Sequence, residues 1–333
     1  MKRVLVTGAG GFLGERLLGA LSVSLALEPV ALLHHEPGRR AKTPSCSHEV
    51  VDLVDRPGVC DLVAGLRPEV IIHTAALTDV DRCETEPELA WRVNACGTAH
   101  LAAAAAAVGA LLVYISTDYV FDGRRGLYRE GDLPHPCNWY GVTKRAGEIA
   151  AVSGGADHAI LRTTFFGMRP DGKGLFNRVV ETCRRARIDA GADAGANGGR
   201  GAPLDLVLDQ FSSPLSVSAL ARGVAEVAER GLTGLFHMGG TTRCNRYEFA
   251  LAVAHELDLP KDETDRLLRP VMSVCGPDHS PADDSPAVVR GRAVRPADVS
   301  LLVGKAQGTL GCSLPSLDEG VREEVRQGVG PDD

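Results

Sequence analysis

Short runs rich in Val, Ile and Leu recur along the first half of the chain, at 4–6, 30–33, 49–53, 70–74, 111–116 and 159–163. They are continuous apolar stretches, not alternations of apolar and polar positions, which predicts strands buried on both faces of a parallel sheet. Between them, segments with apolar residues every three or four positions, at 12–22, 61–66, 87–108 and 140–152, predict helices. Strand and helix alternate, so 1–165 is expected to form a doubly wound α/β unit of the Rossmann kind.

Beyond 165 the regularity fails. A Gly- and Ala-rich stretch at 190–202 offers almost nothing to pack and predicts a loop, either a lid or a passive insertion. Helices are expected at 217–230, 247–257 and near 317–325, with a strand at 235–238. The chain should cross back to the sheet between about 204 and 240. That leaves 166–203 and 241–333 as a smaller, mixed α/β domain for the substrate.

Composition narrows the function class. The 333 residues are 44% hydrophobic and 24% charged, with a formal net charge of −7, so a full core can form and no basic excess favours nucleic acid or an anionic membrane. No run approaches the roughly 18 apolar residues of a membrane span, and the first residues enter a strand-like run without the pattern of a signal peptide. The nine cysteines are odd in number and include no Cys-x-x-Cys pair. A reducing cytoplasm is expected, and no metal site.

Gly8, Gly11 and Gly14 lie between the first strand and the first helix, where Phe12 and Leu13 also stand. With 38 glycines in the chain this spacing should arise by chance about 0.5 times, so its position carries the meaning. Glycines there let the backbone approach a pyrophosphate, whose charge the helix N-terminus stabilises. At the end of strand two, where an acid would select NAD by its ribose hydroxyl, stand His34 and His35. Arg39, Arg40 and Lys42 follow, which favours a 2′-phosphate and hence NADP(H), with NAD(H) as the alternative. Asp52 and Leu53, at the end of strand three, are candidates for the adenine.

Tyr140 and Lys144 are four apart in a helical pattern, so both side chains share one face. The lysine charge is expected to lower the phenol's pKa toward neutrality and make it a usable acid or base. Thr117 ends strand five at the carboxyl edge of the sheet, where its hydroxyl can donate to a substrate carbonyl.

Taken together, the glycine loop, Thr117 and the Tyr140/Lys144 pair resemble the extended short-chain dehydrogenase/reductases. Four segments, 74–81, 116–123, 140–144 and 209–211, are similar more narrowly to the dTDP-4-dehydrorhamnose reductase family, and Arg295-Pro296 fits it too. The resemblance implies hydride transfer to C4 of a nucleotide-linked 4-keto-6-deoxy sugar. It assigns Tyr140 as proton donor, Lys144 to the nicotinamide ribose and Thr117 to the carbonyl oxygen. By the same likeness Thr74, Ala75 and Ala76 line the cofactor, while Thr78, Val80, Asp118, Tyr119, Phe165, Gln210 and Arg295 face the sugar nucleotide. Phe165 stands where these reductases carry Trp, which removes an indole N–H. The partner implied is a nucleotide-diphosphate sugar, with a homodimer as the assembly considered.

Two other readings use the same residues. An epimerase or 4,6-dehydratase shares Tyr and Lys; the residue after Asp118 is Tyr119, so elimination lacks its second carboxylate, whereas epimerisation at C4 needs no residue beyond Tyr140. The chain also resembles the regulatory beta subunit of methionine adenosyltransferase, a binding module that needs neither Tyr140 nor Lys144 to be intact.

Overall fold

The computed structural model describes residues 1–36, 46–191, 202–273 and 293–328. The first half runs β1 (Lys2–Thr7), α1 (Phe12–Ser22), β2 (Leu27–Leu33), β3 (His48–Val50), α2 (Arg56–Leu66) and β4 (Val70–His73). It continues with α3 (Val80–Thr85), α4 (Pro87–Trp91), a π-helical turn (Arg92–Cys96), α5 (Gly97–Val108) and β5 (Leu111–Thr117). A 3-10 turn (Asp118–Val120), α6 (Trp139–Ser153) and β6 (His158–Thr163) follow. The second half holds β7 (Phe165–Phe166), α7 (Leu175–Gly191), β8 (Leu204–Val207), β9 (Phe211–Ser212), β10 (Leu215–Ser216) and α8 (Val217–Arg230). It ends with β11 (Gly234–Met238), β12 (Cys244–Asn245), α9 (Arg246–Glu256), α10 (Lys261–Leu267), β13 (Leu268–Val271), α11 (Gly304–Thr309) and α12 (Leu317–Gly328).

Seven parallel strands form the central sheet in the order β11-β6-β5-β4-β1-β2-β3. The period of two in the apolar runs divides them between two cores. Val4, Val6, Ile72 and Val113 face α1 and α8, while Leu5, Ile71 and Leu112 face α2 and α5. This is the expected Rossmann-like α/β fold. The strand order reverses between β1 and β4, so their carboxyl ends open a crevice at the switch point.

A third core joins α7, α9, β8, β13 and α12 around Phe166, Phe176 and Phe249. β8 pairs with β13 in the smaller lobe, so the return to the large one begins near β10 and ends with β11 against β6. Val299, Leu301, Val303, Ala306, Leu310 and Leu314 pack into the core that holds α1 and α8.

Local departures have local causes. The helix expected from 61 begins at Arg56, because Asp55 accepts the Gly58 amide at 3.3 Å and proline stands in its first turn. The strand expected at 49–53 is His48–Val50, and the helix expected over 87–108 contains the π turn. The loop expected at 190–202 begins late, since α7 runs to Gly191; residues 192–201 lie outside the described ones. Among the described residues no helix is long and apolar enough to cross a membrane.

Candidate active site

A cleft of about 960 Å³ opens at the switch point, bordered by the ends of β1, β2, β4, β5 and β6 and by the smaller lobe. Its floor is the turn from β1 into α1. Gly8 has φ +65°, and a Cβ there would sit 2.7 Å from the Ala75 nitrogen. A Cβ on Gly14 would lie 2.2 Å from the Gly8 oxygen, and the Gly11 amide donates to that same oxygen at 2.9 Å. No side chain caps the start of α1 at Gly11, so its first amides and the positive end of its dipole are left for an anion. Thr74 donates from Oγ1 to the Thr7 carbonyl at 2.6 Å and the Ala75 amide donates to Thr7 Oγ1 at 3.2 Å, which ties the loop after β4 to the cradle.

At one end of the cleft, His34 Nε2 lies 3.4 Å from Asp52 Oδ2, and the His34 and His35 rings are 3.9 Å apart. Leu53 packs against Gly97, and its carbonyl is 2.8 Å from His100 Nδ1. Arg39, Arg40 and Lys42 lie outside the described residues.

At the centre stands α6, whose N-terminus is capped by Asn138 through the Gly141 amide at 2.8 Å. One helical face presents Tyr140, Lys144 and Glu148 to β5. Lys144 is buried, donates from Nζ to the Ile115 carbonyl at 2.7 Å and lies 4.2 Å from the centre of the Tyr114 ring. Burial lowers its pKa to about 7, with Glu148 pulling upward. Tyr140 departs from the sequence expectation: burial pushes its hydroxyl well above the usual phenol range, Thr117 pulls it down and Asp118 pushes it further up. The reason is placement, since the lysine ammonium is spent on Ile115 and Tyr114. Tyr140 is therefore an acid that keeps its proton at neutral pH.

Thr117 donates to Asp118 Oδ1 at 3.1 Å and accepts the Tyr119 amide at 3.2 Å. Asp118 is buried, its Oδ2 finds no partner among the described residues, and desolvation raises its pKa to about 7. The Tyr119 ring meets Tyr140 edge-on, with centroids 6.1 Å apart.

Toward the smaller lobe, Phe165 stacks on Phe12 at 5.8 Å and the Arg169 guanidinium covers the other ring at 5.0 Å. Phe12, Leu13, Ala76, Thr78, Val80 and Gln210 also border the cleft. Arg295 does not: Asp81 holds it at 3.0 Å and only its neighbour Pro296 reaches the lining. Sequence reasoning passed over Arg246, which opens α9 behind a capping box of Asn245 and Glu248 and brings a cation to the wall. It passed over Asn94 as well. From the π turn, Asn94 accepts the Leu77 amide at 2.8 Å and donates to the Leu77 carbonyl and to Thr143 Oγ1, each at 3.0 Å. Thr143 Oγ1 in turn donates to the Tyr140 carbonyl at 2.9 Å. A polar residue inside a helical pattern was the one signal available.

The family described as RmlD substrate binding domain matches residues 1–328. Methionine adenosyltransferase 2 subunit beta of Mus musculus is 31% identical over 331 residues, spanning 98% of this chain and 86% of that protein. The dTDP-4-dehydrorhamnose reductase of Aggregatibacter actinomycetemcomitans is 31% identical over 264 residues, 77% of this chain and 79% of that one. Among solved structures, dTDP-4-dehydrorhamnose reductase from Bacillus anthracis in complex with NADP gives a TM-score of 0.75 at 26% identity, over 98% of this chain and 99% of that one.

Proposed function

Because the chain belongs to the family of the RmlD substrate binding domain, we propose that it is an NADPH-dependent reductase of the 4-keto group of a nucleotide-linked 4-keto-6-deoxy sugar, with dTDP as the nucleotide. The observation that carries this reading is the convergence of Thr117, Tyr140 and Lys144 on one cleft beside a glycine cradle. The cradle fits a dinucleotide: at Gly8 and Gly14 a Cβ would collide with backbone, and the uncapped start of α1 suits a pyrophosphate. Gly8, Gly11, Phe12, Leu13 and Gly14 would hold the pyrophosphate, with Thr74, Ala75 and Ala76 beside them. Asp52 and Leu53 would hold the adenine, and His34, with Arg39 and Arg40, the phosphorylated ribose. When bound, the cofactor supplies a hydride.

The side chains of this chain supply the rest. As the carbonyl becomes an alkoxide, negative charge grows on the oxygen, and Thr117 and Tyr140 are hydroxyl donors that can meet it. Tyr140 gives up its proton to that oxygen; burial keeps the proton on the phenol until such a charge appears. Lys144, on the same helix face as Tyr140, would hold the nicotinamide ribose of the bound cofactor. Thr78, Val80, Asp118, Tyr119, Phe165 and Gln210 bind the sugar nucleotide and orient its C4.

A second reading, an NADP-binding regulatory subunit, draws on the 31% identity to methionine adenosyltransferase 2 subunit beta. Binding alone has no use for a half-buried phenol and a buried lysine on one helix face. Purified protein should oxidise NADPH in the presence of one or more dTDP-, UDP- or GDP-linked 4-ketosugars, the dTDP-linked 4-keto-6-deoxy sugar first among them. Tight NADPH binding with no oxidation by any of them would favour the regulatory reading.

A further inference from the structure

Glu148 lies one helical turn beyond Lys144 and two beyond Tyr140, and it is fully buried. Its carboxylate is held by four donors. Ser116 Oγ gives to Oε1 at 2.6 Å, Arg162 gives from Nε and Nη2 at 2.8 Å each, and Arg145 gives to Oε2 at 2.7 Å. Arg162 is itself buried, with its guanidinium 5.0 Å from the centre of the Phe121 ring.

The pairing between α6 and the end of β5 has a register. Lys144 holds Ile115, Glu148 holds Ser116 and Tyr140 lies beside Thr117, so three consecutive strand residues each meet one of three side chains spaced four apart on the helix. Tyr114 adds a bond from its hydroxyl to the Lys144 carbonyl at 3.2 Å, and a Cβ on Gly147 would fall 2.2 Å from that hydroxyl, so helix and strand can approach this closely only at glycine. Burying a carboxylate with Arg162 costs desolvation energy that an apolar pair would avoid. Stability alone gives a weak reason for it.

Resting on the reading that Tyr140 and Lys144 work together in the reaction, we propose that Glu148 is a positioning residue for it: its anchored carboxylate sets a negative charge one turn beyond Lys144 and locks α6 in register with Ile115, Ser116 and Thr117. The titratable and charged groups around Lys144 are His73 from β4, Tyr114 from β5, Asp118 from the 3-10 turn, Tyr140, Arg145 and Glu148 from α6, and Arg162 from β6. Burial keeps His73 neutral, with its pKa lowered to about 3. Asp118 is engaged by Thr117, and both arginines are engaged by Glu148 itself. Glu148 is the group whose charge opposes the desolvation of Lys144.

The test reads Lys144 directly in the protein without cofactor. The chain has six lysines, so with 13Cε-labelled lysine the Lys144 signal is assigned by its loss in Lys144→Met and titrated by NMR. In Glu148→Gln the Lys144 midpoint should fall by about one pH unit or more, and the alkaline limb of kcat/KM should move down with it. Should Glu148→Gln fail to fold, Arg162→Met leaves the Glu148 carboxylate less neutralised and should raise the Lys144 midpoint. An unchanged midpoint in a folded variant overturns the proposal. A lowered midpoint in a protein that reduces no ketosugar supports the coupling and counts against the reductase reading alone.

Discussion

Asn94 brackets the backbone of Leu77, accepting its amide at 2.8 Å and donating to its carbonyl at 3.0 Å, while its remaining N–H reaches Thr143. One amide side chain thus fixes the loop after β4, which borders the cleft, to the helix that carries Tyr140. Asn94→Leu should leave several buried polar groups unpaired and cost about 1–3 kcal/mol of stability. Denaturant unfolding measures that cost. By shifting Tyr140 it should also lower kcat/KM by about tenfold to a hundredfold, which steady-state kinetics measures.

Gly14→Ala tests the cradle. The new methyl would lie 2.2 Å from the Gly8 oxygen and 2.7 Å from the Ala9 Cα, both backbone, so the turn must open. Stability should fall by about 1–3 kcal/mol. NADPH affinity should fall at least about tenfold, because backbone approach to the pyrophosphate is lost. Isothermal titration of the folded variant checks it; unchanged affinity would remove the cradle from the binding site.

Asp118 sets a pH dependence of stability. Its carboxyl, raised from 3.8 to about 7 by burial, binds a proton in the folded chain that the unfolded chain has already released. Stability from this group is therefore full below about pH 4, falls between about 4 and 7, and is flat above. Asp118→Asn removes that loss, so its advantage over wild type should grow from pH 4 to pH 8, to about 4 kcal/mol at most. Thermal unfolding across that range measures it. A constant difference would place the carboxyl in water.

We propose that the positive charges after strand two select the cofactor. NADPH should bind more tightly than NADH, and Arg39→Ala with Arg40→Ala should narrow the gap mainly by weakening NADPH. Fluorescence titration with both nucleotides is the check.

Legibility tracks the range of the interaction. The Tyr140/Lys144 pair and the glycine turn are local, so spacing reveals them, and the apolar runs reveal the sheet because a parallel strand is buried on both faces. Asp55 and Pro57 carried a helix-start signal that periodicity alone passed over. The π turn has no such signal, because helical period continues across it. Glu148 and Arg162 meet from a helix and a strand 14 residues apart, and nothing in either segment predicts the other. Tyr140's raised pKa was hidden for the same kind of reason: burial depends on the whole fold, whereas spacing to Lys144 depends on one helix.

Tyr140→Phe keeps the ring and its packing and removes the proton. Measured as NADPH oxidation with the dTDP-linked 4-keto-6-deoxy sugar, turnover should fall by about 10² to 10⁴ while NADPH affinity stays near that of the wild type. Near-wild-type turnover by Tyr140→Phe would contradict the assignment of Tyr140 as proton donor, and with it the mechanism built on this cleft.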